Sequence, residues 1–306
     1  MITAVELGMI YAIMALGVYL TFRILDFPDL TVDGSFTTGA AVASISIVNG
    51  VNPVLATIFA FFVGSLAGVV TGLLHTKGKI DGLLAGILTM IALYSINLRI
   101  MGKANTPLLG EKTLMTPLRE ANLMGTWGSV GLMFLGCLVA VALIVWFLRT
   151  DVGLAMRATG DNEEMIRSFG VSTDNQKILG LAISNGFVGL SGALIAQFQG
   201  FADIGMGIGV ILIGLASVIV GQAIFGQKFI WIAALAVIAG SVIYRLVIQL
   251  ALELGLEVQD MKLISAVLVV IALILPQWKG FSKFANRIRI TGKPVAPLEE
   301  AVKTNA

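Results

Sequence analysis

Charge, cysteine and histidine are scarce in this 306-residue chain, and each scarcity excludes something. Only 12% of the residues are Asp, Glu, Lys or Arg, while 57% are hydrophobic. A soluble domain carries about 25% charged and about 45–50% apolar residues. So few polar groups cannot cover an apolar core, which leaves lipid as the solvent. A soluble enzyme, a nucleic-acid binder and a disordered chain are excluded. Cys137 is the single cysteine, so no internal disulfide or cysteine-rich metal site forms. With His75 as the single histidine, neither a zinc-type metal site nor a cofactor is expected. Met1 to Leu7 hold no Lys or Arg, so the first apolar stretch is expected to be a retained span rather than a cleaved signal.

What the chain has is long apolar runs and 35 glycines. The runs fall near 5–22, 32–50, 52–74, 82–101, 127–148, 178–199, 208–226, 229–250 and 262–276. Their length and lack of alternation predict an all-α, polytopic membrane bundle of about nine spans (roughly 8–10). Gly64, Gly68 and Gly72, like Gly82 with Gly86 and the trio Gly186, Gly189 and Gly192, have the spacing of closely packed helices. Lys and Arg crowd the loops of one side (Arg23, Lys77, Lys79, Arg149, Arg157, Arg167) more than the other (Arg99, Lys103, Lys112, Arg119). That bias predicts a plasma-membrane protein with its N-terminus outside and its C-terminus cytoplasmic. Residues 1–276 form the membrane domain, with a cytoplasmic segment at 150–176, and 277–306 form a basic tail. The tail either touches anionic lipid or a partner, or is a solvated end that fixes topology.

Two breaks in the apolar pattern are alike. Phe27-Pro28-Asp29-Leu30-Thr31 and Phe201-Ala202-Asp203-Ile204-Gly205 share Phe-x-Asp-aliphatic before a new helix. Spans one to four and six to nine read as inverted repeats, a pattern that points to a substrate route. The other reading is that Pro28 and the glycines simply end helices at the membrane surface. A carboxylate in hydrocarbon is costly, so Asp29 and Asp33 must reach water, a helix end or a cation. Asp33 or Ser35 could cap the second helix. The sharper expectation is that Asp29, Asp33, Ser35 and Thr37 border a solute path, with Asn185 facing them from span six. Arg245 falls within a span.

Between spans five and six lies a charged stretch, Thr150 to Ser172. It reads as a short helix bracketed by glycines, with Asp161 or Asn162 as N-cap, Glu163 and Glu164 in the first turn and Gly170 as C-cap. Met165, Ile166 and Phe169 give it an apolar face for lipid or for a groove on a soluble partner.

The run Gly153-Leu154-Ala155-Met156-Arg157-Ala158-Thr159-Gly160-Asp161-Asn162, with Gly170-Val171, Asn185 to Gly189, and Gly192, resembles permease subunits of ATP-binding-cassette importers of the branched-chain amino acid and ribose type. Ile24 to Phe36 resembles a subgroup thought to carry tryptophan, tyrosine or related solutes. The resemblance implies a coupling helix docked on a partner ATPase. Its matching residues are Gly153, Arg157, Ala158, Gly160, Asp161, Asn162, Glu163, Glu164, Ile166, Phe169 and Gly170. It also implies an external solute-binding protein and a second permease copy in the lipid, with no nucleic acid. A Gly-x-x-x-x-Gly-Lys-Ser/Thr loop is absent; Gly72–Lys79 and Gly221–Lys228 both fail at required positions. If ATP drives the chain, its hydrolysis is expected in another polypeptide, with the chain a transport subunit rather than an enzyme. The alternatives are an ion-coupled secondary transporter, or a permease of the same type for a nucleoside or sugar. A secondary transporter would place coupling carboxylates near mid-span, whereas here the acids crowd span ends.

Overall fold

The computed structural model describes residues 1–227, 229–255 and 261–274. The basic tail at 277–306 lies outside the described residues. Helix α1 (Ile2–Tyr19) runs into a π-turn (Leu20–Ile24), followed by α2 (Thr31–Val48), α3 (Pro53–Thr76) and α4 (Gly82–Met101). Strand β1 (Asn105–Pro107) and the short α5 (Thr116–Glu120) lead to α6 (Trp127–Leu148). Next come α7 (Asp151–Asp161), α8 (Glu163–Ser168), the long α9 (Thr173–Gln199) and strand β2 (Phe201–Asp203). Helices α10 (Val210–Phe225), α11 (Ile230–Glu253) and α12 (Met261–Ile274) end the described chain.

Each predicted apolar run overlaps one of these helices, though α2, with 18 residues, is not among those long and apolar enough to cross a membrane. Six of the helices are long and apolar enough to cross a membrane: α1 with its π-turn, α3, α4, α6, α9 and α11. The 16 residues of α10 and the 14 of α12 fall short of the roughly 20 that a perpendicular crossing needs. Helix ends follow from local chemistry. Asn52 accepts from the Val54 N–H at 2.9 Å with Pro53 at the first helical position, and Asp81 accepts from the Leu83 N–H at 3.0 Å. Gly102 ends α4 and Gly200 ends α9 with φ of 66° and 84°.

Helices α1, α2 and α9 form the centre, and their polar groups bond across helices. Ser184 donates to the Gly17 carbonyl at 2.7 Å, Ser191 to Ile10 at 2.8 Å and Ser241 to Gly8 at 2.7 Å. Contacts of this kind contribute about 0.6 kcal/mol each. The predicted glycine rows are the seams of this centre. Gly64, Gly68 and Gly72 lie against α9 at Asn185, Leu181 and Ile178, while Gly192 lies against the Phe36 backbone. Around it, α3, α4 and α6 turn Phe62, Leu66, Ile91, Leu135 and Trp146 outward.

The molecule has two distinct ends. At one, β1 pairs antiparallel with β2, Thr106 opposite Ala202. Buried Glu6 there accepts from the Gly125 N–H at 2.9 Å and from the Ser129 hydroxyl, which joins the start of α1 to the start of α6. At the other end lie α7, α8 and the start of α9, where Lys77 pairs with Asp174 at 3.6 Å.

Candidate functional site

The first break is built by local backbone strain. The π-turn closes α1, Asp26 takes a left-handed φ of 53°, and Pro28 prevents the helix from resuming at once. Asp29 is buried: its Oδ1 accepts from the Thr31 N–H at 2.9 Å, its Oδ2 from the Asn185 side-chain amide at 2.6 Å. Thr31 in turn shares a hydrogen bond with Thr71 at 2.7 Å. The first N–H of α2, that of Thr31, is therefore met by Asp29, four residues before Asp33, while the N-cap Leu30 has no side-chain cap. The sequence-based assignment of that cap to Asp33 or Ser35 is corrected accordingly.

Asp33 lies on the first turn of α2 but caps a different helix. Its carboxylate accepts from the Gly209 N–H at 2.7 Å and the Ile211 N–H at 2.8 Å, the exposed donors at the start of α10. A carboxylate there meets both unpaired N–H groups and the positive end of the helix dipole. The two breaks singled out in the sequence thus meet in space. They also share a detail: Asp203 accepts from the N–H two residues on, Gly205, at 2.8 Å, as Asp29 does from Thr31. Ser35 is buried with its hydroxyl unpaired, and Thr37 is buried and donates to the Asp33 carbonyl at 3.2 Å. All five residues expected on a solute path cluster around α2, within the helix bundle. Asn185 retains a buried side-chain oxygen with no partner.

At the opposite end the linker is two helices rather than one. Thr150 caps α7 through the Gly153 N–H at 3.2 Å. Asn162, extended at φ −159°, breaks the chain and caps α8 through the Met165 N–H at 2.9 Å. Asn162, not Asp161, is therefore the cap. Gly170 ends α8 with φ 84°, as expected from its place. Gly153 and Gly160 belong to the preceding helix. Both lie within α7 and face inward, Gly153 against Phe147 and Leu148, Gly160 against the Ile24 carbonyl. Between them Met156 is fully buried with Leu25, Phe27 and Leu181. Arg157 and Ala158 are half-buried beside them. Helix α7 is therefore seated on the first break itself.

Helix α8 is tied down by its charges while its apolar side stays open. Glu163 accepts from Lys177 at 2.7 Å, Arg167 at 2.9 Å and Thr173 at 3.1 Å. Partial burial pushes the Glu163 carboxyl up, but the Lys177 hydrogen bond and charge, with Thr173 and Arg167, outweigh it and hold it below the ordinary carboxylate range. Phe169 is 75% exposed and Met165 48%, with Ile166 half-buried and Asp161, Asn162, Glu164 and Gly170 exposed around them. A cavity of about 370 Å³ opens beside them, lined by Thr76, Lys79, Arg167, Val171, Ser172, Thr173 and Asp174. Sequence reasoning missed Met156, which shares the Gly153 and Gly160 face at helical spacing, and missed Lys177, whose partner is fourteen residues away.

Residues 1–275 match the family described as Branched-chain amino acid transport system / permease component. The chain belongs to that permease family. It is 46% identical over 270 residues to a tyrosine transport system permease protein of Clostridioides difficile (strain R20291), 88% of each chain being covered. It is 36% identical to an uncharacterized protein of Rickettsia prowazekii (strain Madrid E), covering 89% of this chain and 96% of that one. A probable branched-chain amino acid transport permease of Methanocaldococcus jannaschii, LivH, is 24% identical over 61% of this chain and 62% of its own. No solved structure matches. With its apolar helices, the permease is a multi-pass membrane protein of amino-acid transport type.

Proposed function

We propose that this permease is the membrane subunit of an ATP-driven importer that carries a small amino acid, aromatic in the first instance, inward. The similarity to a tyrosine transport permease supports the solute class. Two copies would work with two cytoplasmic ATPase subunits and an external solute-binding protein, the N-terminus outside and α7–α8 in the cytoplasm. The observation that carries this reading is the construction of α7–α8. One helix is packed by Gly153, Met156 and Gly160 onto the break that holds Asp29, and the next leaves Met165 and Phe169 uncovered. An apolar patch on an otherwise charged element suits a groove on a soluble partner. A push on α8 from such a partner passes through α7 to Leu25 and Phe27, and so to the Asp29–Asn185 pair that joins α2 to α9. In this reading Asp29, Asp33, Ser35, Thr37 and Asn185 sit where the solute route opens and closes.

The experiment is affinity purification of the permease from native membranes, followed by uptake of radiolabelled L-tyrosine and a panel of sugars and nucleosides. The wild type is expected to bring down an ATPase polypeptide and to take up an amino acid. Phe169→Asp places a carboxylate on the docking face and is expected to reduce ATPase recovery and uptake at least tenfold at equal membrane levels. Normal recovery and uptake in that variant remove α8 from the mechanism. Uptake of a sugar or nucleoside in place of amino acids replaces the solute class.

A further inference from the structure

Arg245 lies inside α11, about two turns before its C-terminal end, on the order of 12 Å along the axis. Its guanidinium sits 4.0 Å from the centroid of the Tyr11 ring in α1, and its Nε is buried without an acceptor. Tyr11 is in turn stacked on Phe36 at 5.8 Å. Side chains on a helix lean toward its N-terminus, so Arg245 reaches away from the nearer end of α11 and deeper into the bundle. It is not snorkelling toward a headgroup. Among the described residues, no carboxylate forms an ion pair with it.

A cation left in this position needs a counter-charge. Contact with hydrocarbon is costly for a cation. The cation–π contact with Tyr11 offsets only part of that. Three acids of the described spans are already engaged. Glu6 serves Gly125 and Ser129, Asp29 serves Thr31 and Asn185, and Asp33 serves Gly209 and Ile211. Arg245 is itself only part-buried.

We propose that Arg245, held by Tyr11, is the site in the permease that receives the carboxylate of the passing solute. This rests on the amino-acid reading given above and deepens it. A planar guanidinium offers paired donors to a carboxylate, a geometry that an ammonium lacks. One cation without a surrounding cage of donors holds the solute weakly enough to let it go, as transport requires.

The test uses the full importer reconstituted in liposomes, with a panel of radiolabelled zwitterionic amino acids including L-tyrosine, and compares wild type, Arg245→Gln and Arg245→Lys. Arg245→Gln is expected to lower uptake at least tenfold while ATPase activity stimulated by the binding protein stays within twofold of wild type. Arg245→Lys, which keeps the charge but not the paired donors, is expected to fall between wild type and Arg245→Gln, retaining more uptake than Arg245→Gln. Wild-type uptake in Arg245→Gln overturns the assignment and leaves the importer reading intact. Parallel loss of uptake, ATPase activity and thermal stability in both variants makes Arg245 a structural tie between α1 and α11 and also overturns it. Failure of the wild type to move any amino acid overturns the solute class and this inference with it.

Discussion

Asp33 shows how much depends on which atoms a carboxylate uses. Had it capped its own helix through one oxygen, asparagine would replace it at little cost, since both residues cap well. Instead each oxygen takes a different backbone N–H at the start of α10, Gly209 from one and Ile211 from the other. Asparagine keeps one acceptor and turns an amide N–H₂ toward the second donor. The charge that complements the helix dipole is lost as well. Asp33→Asn is therefore expected to destabilise the protein by about 1–3 kcal/mol, read as a lower Tm in detergent. An unchanged Tm shows that the two bonds contribute little. Only part of this was legible in the sequence. The cost of an acid beside a span said that Asp29 and Asp33 needed partners, and capping chemistry named the kind. Which helix each would cap was not legible, because Gly209 lies 176 positions away from Asp33.

Among the elements, α8 is the one whose attachment depends on pH. Glu163 binds Lys177, Arg167 and Thr173 in the folded chain, and its carboxyl is held below the ordinary glutamate range. A lowered carboxyl pKa stabilises the folded arrangement above the unfolded value and loses that stabilisation as pH falls through the folded one. The clamp is thus expected to be intact at neutral pH and released only in acid, below the usual glutamate range. The carboxylate is one-third exposed, so solvent screening keeps the effect small, about 1 kcal/mol or less. Glu163→Gln should raise hydrogen exchange across Glu163–Ser168 at neutral pH, and the difference from wild type should vanish at acid pH. A difference that persists in acid places the variant's effect outside the ion pair. The cap and stop of α8 were readable from Asn162 and Gly170, because both act through adjacent backbone. The inward face of α7 was not, because Met156, Gly153 and Gly160 acquire meaning only when Leu25, Phe27 and the Ile24 carbonyl arrive from another part of the chain.

At the scale of the whole molecule, the alternation of helices sets which loops share an end, and Lys/Arg bias predicts which end is cytoplasmic. The first is already built into the fold. The β1–β2 pairing holds the loop after α4 and the loop after α9 together, and Glu6 ties the start of α1 to the start of α6. Lys77 and Asp174 gather the opposite ends of α3 and α9 near α8. The second rests on the positive-inside rule, which reads short loops well. Single cysteines at Leu109 and Phe169, 84% and 75% exposed, report the two ends separately. Cys137 must first be replaced, and since it is buried with its thiol 3.1 Å from the Met9 carbonyl, serine is the conservative choice. An impermeant maleimide applied to whole cells should label the cysteine at 109. The cysteine at 169 should react only after the membrane is opened. Labelling of 169 alone in intact cells inverts the protein and moves α7–α8 to the wrong side for an ATPase. Labelling of both from one side contradicts the alternation itself, which neither a shifted boundary nor a re-read loop could repair.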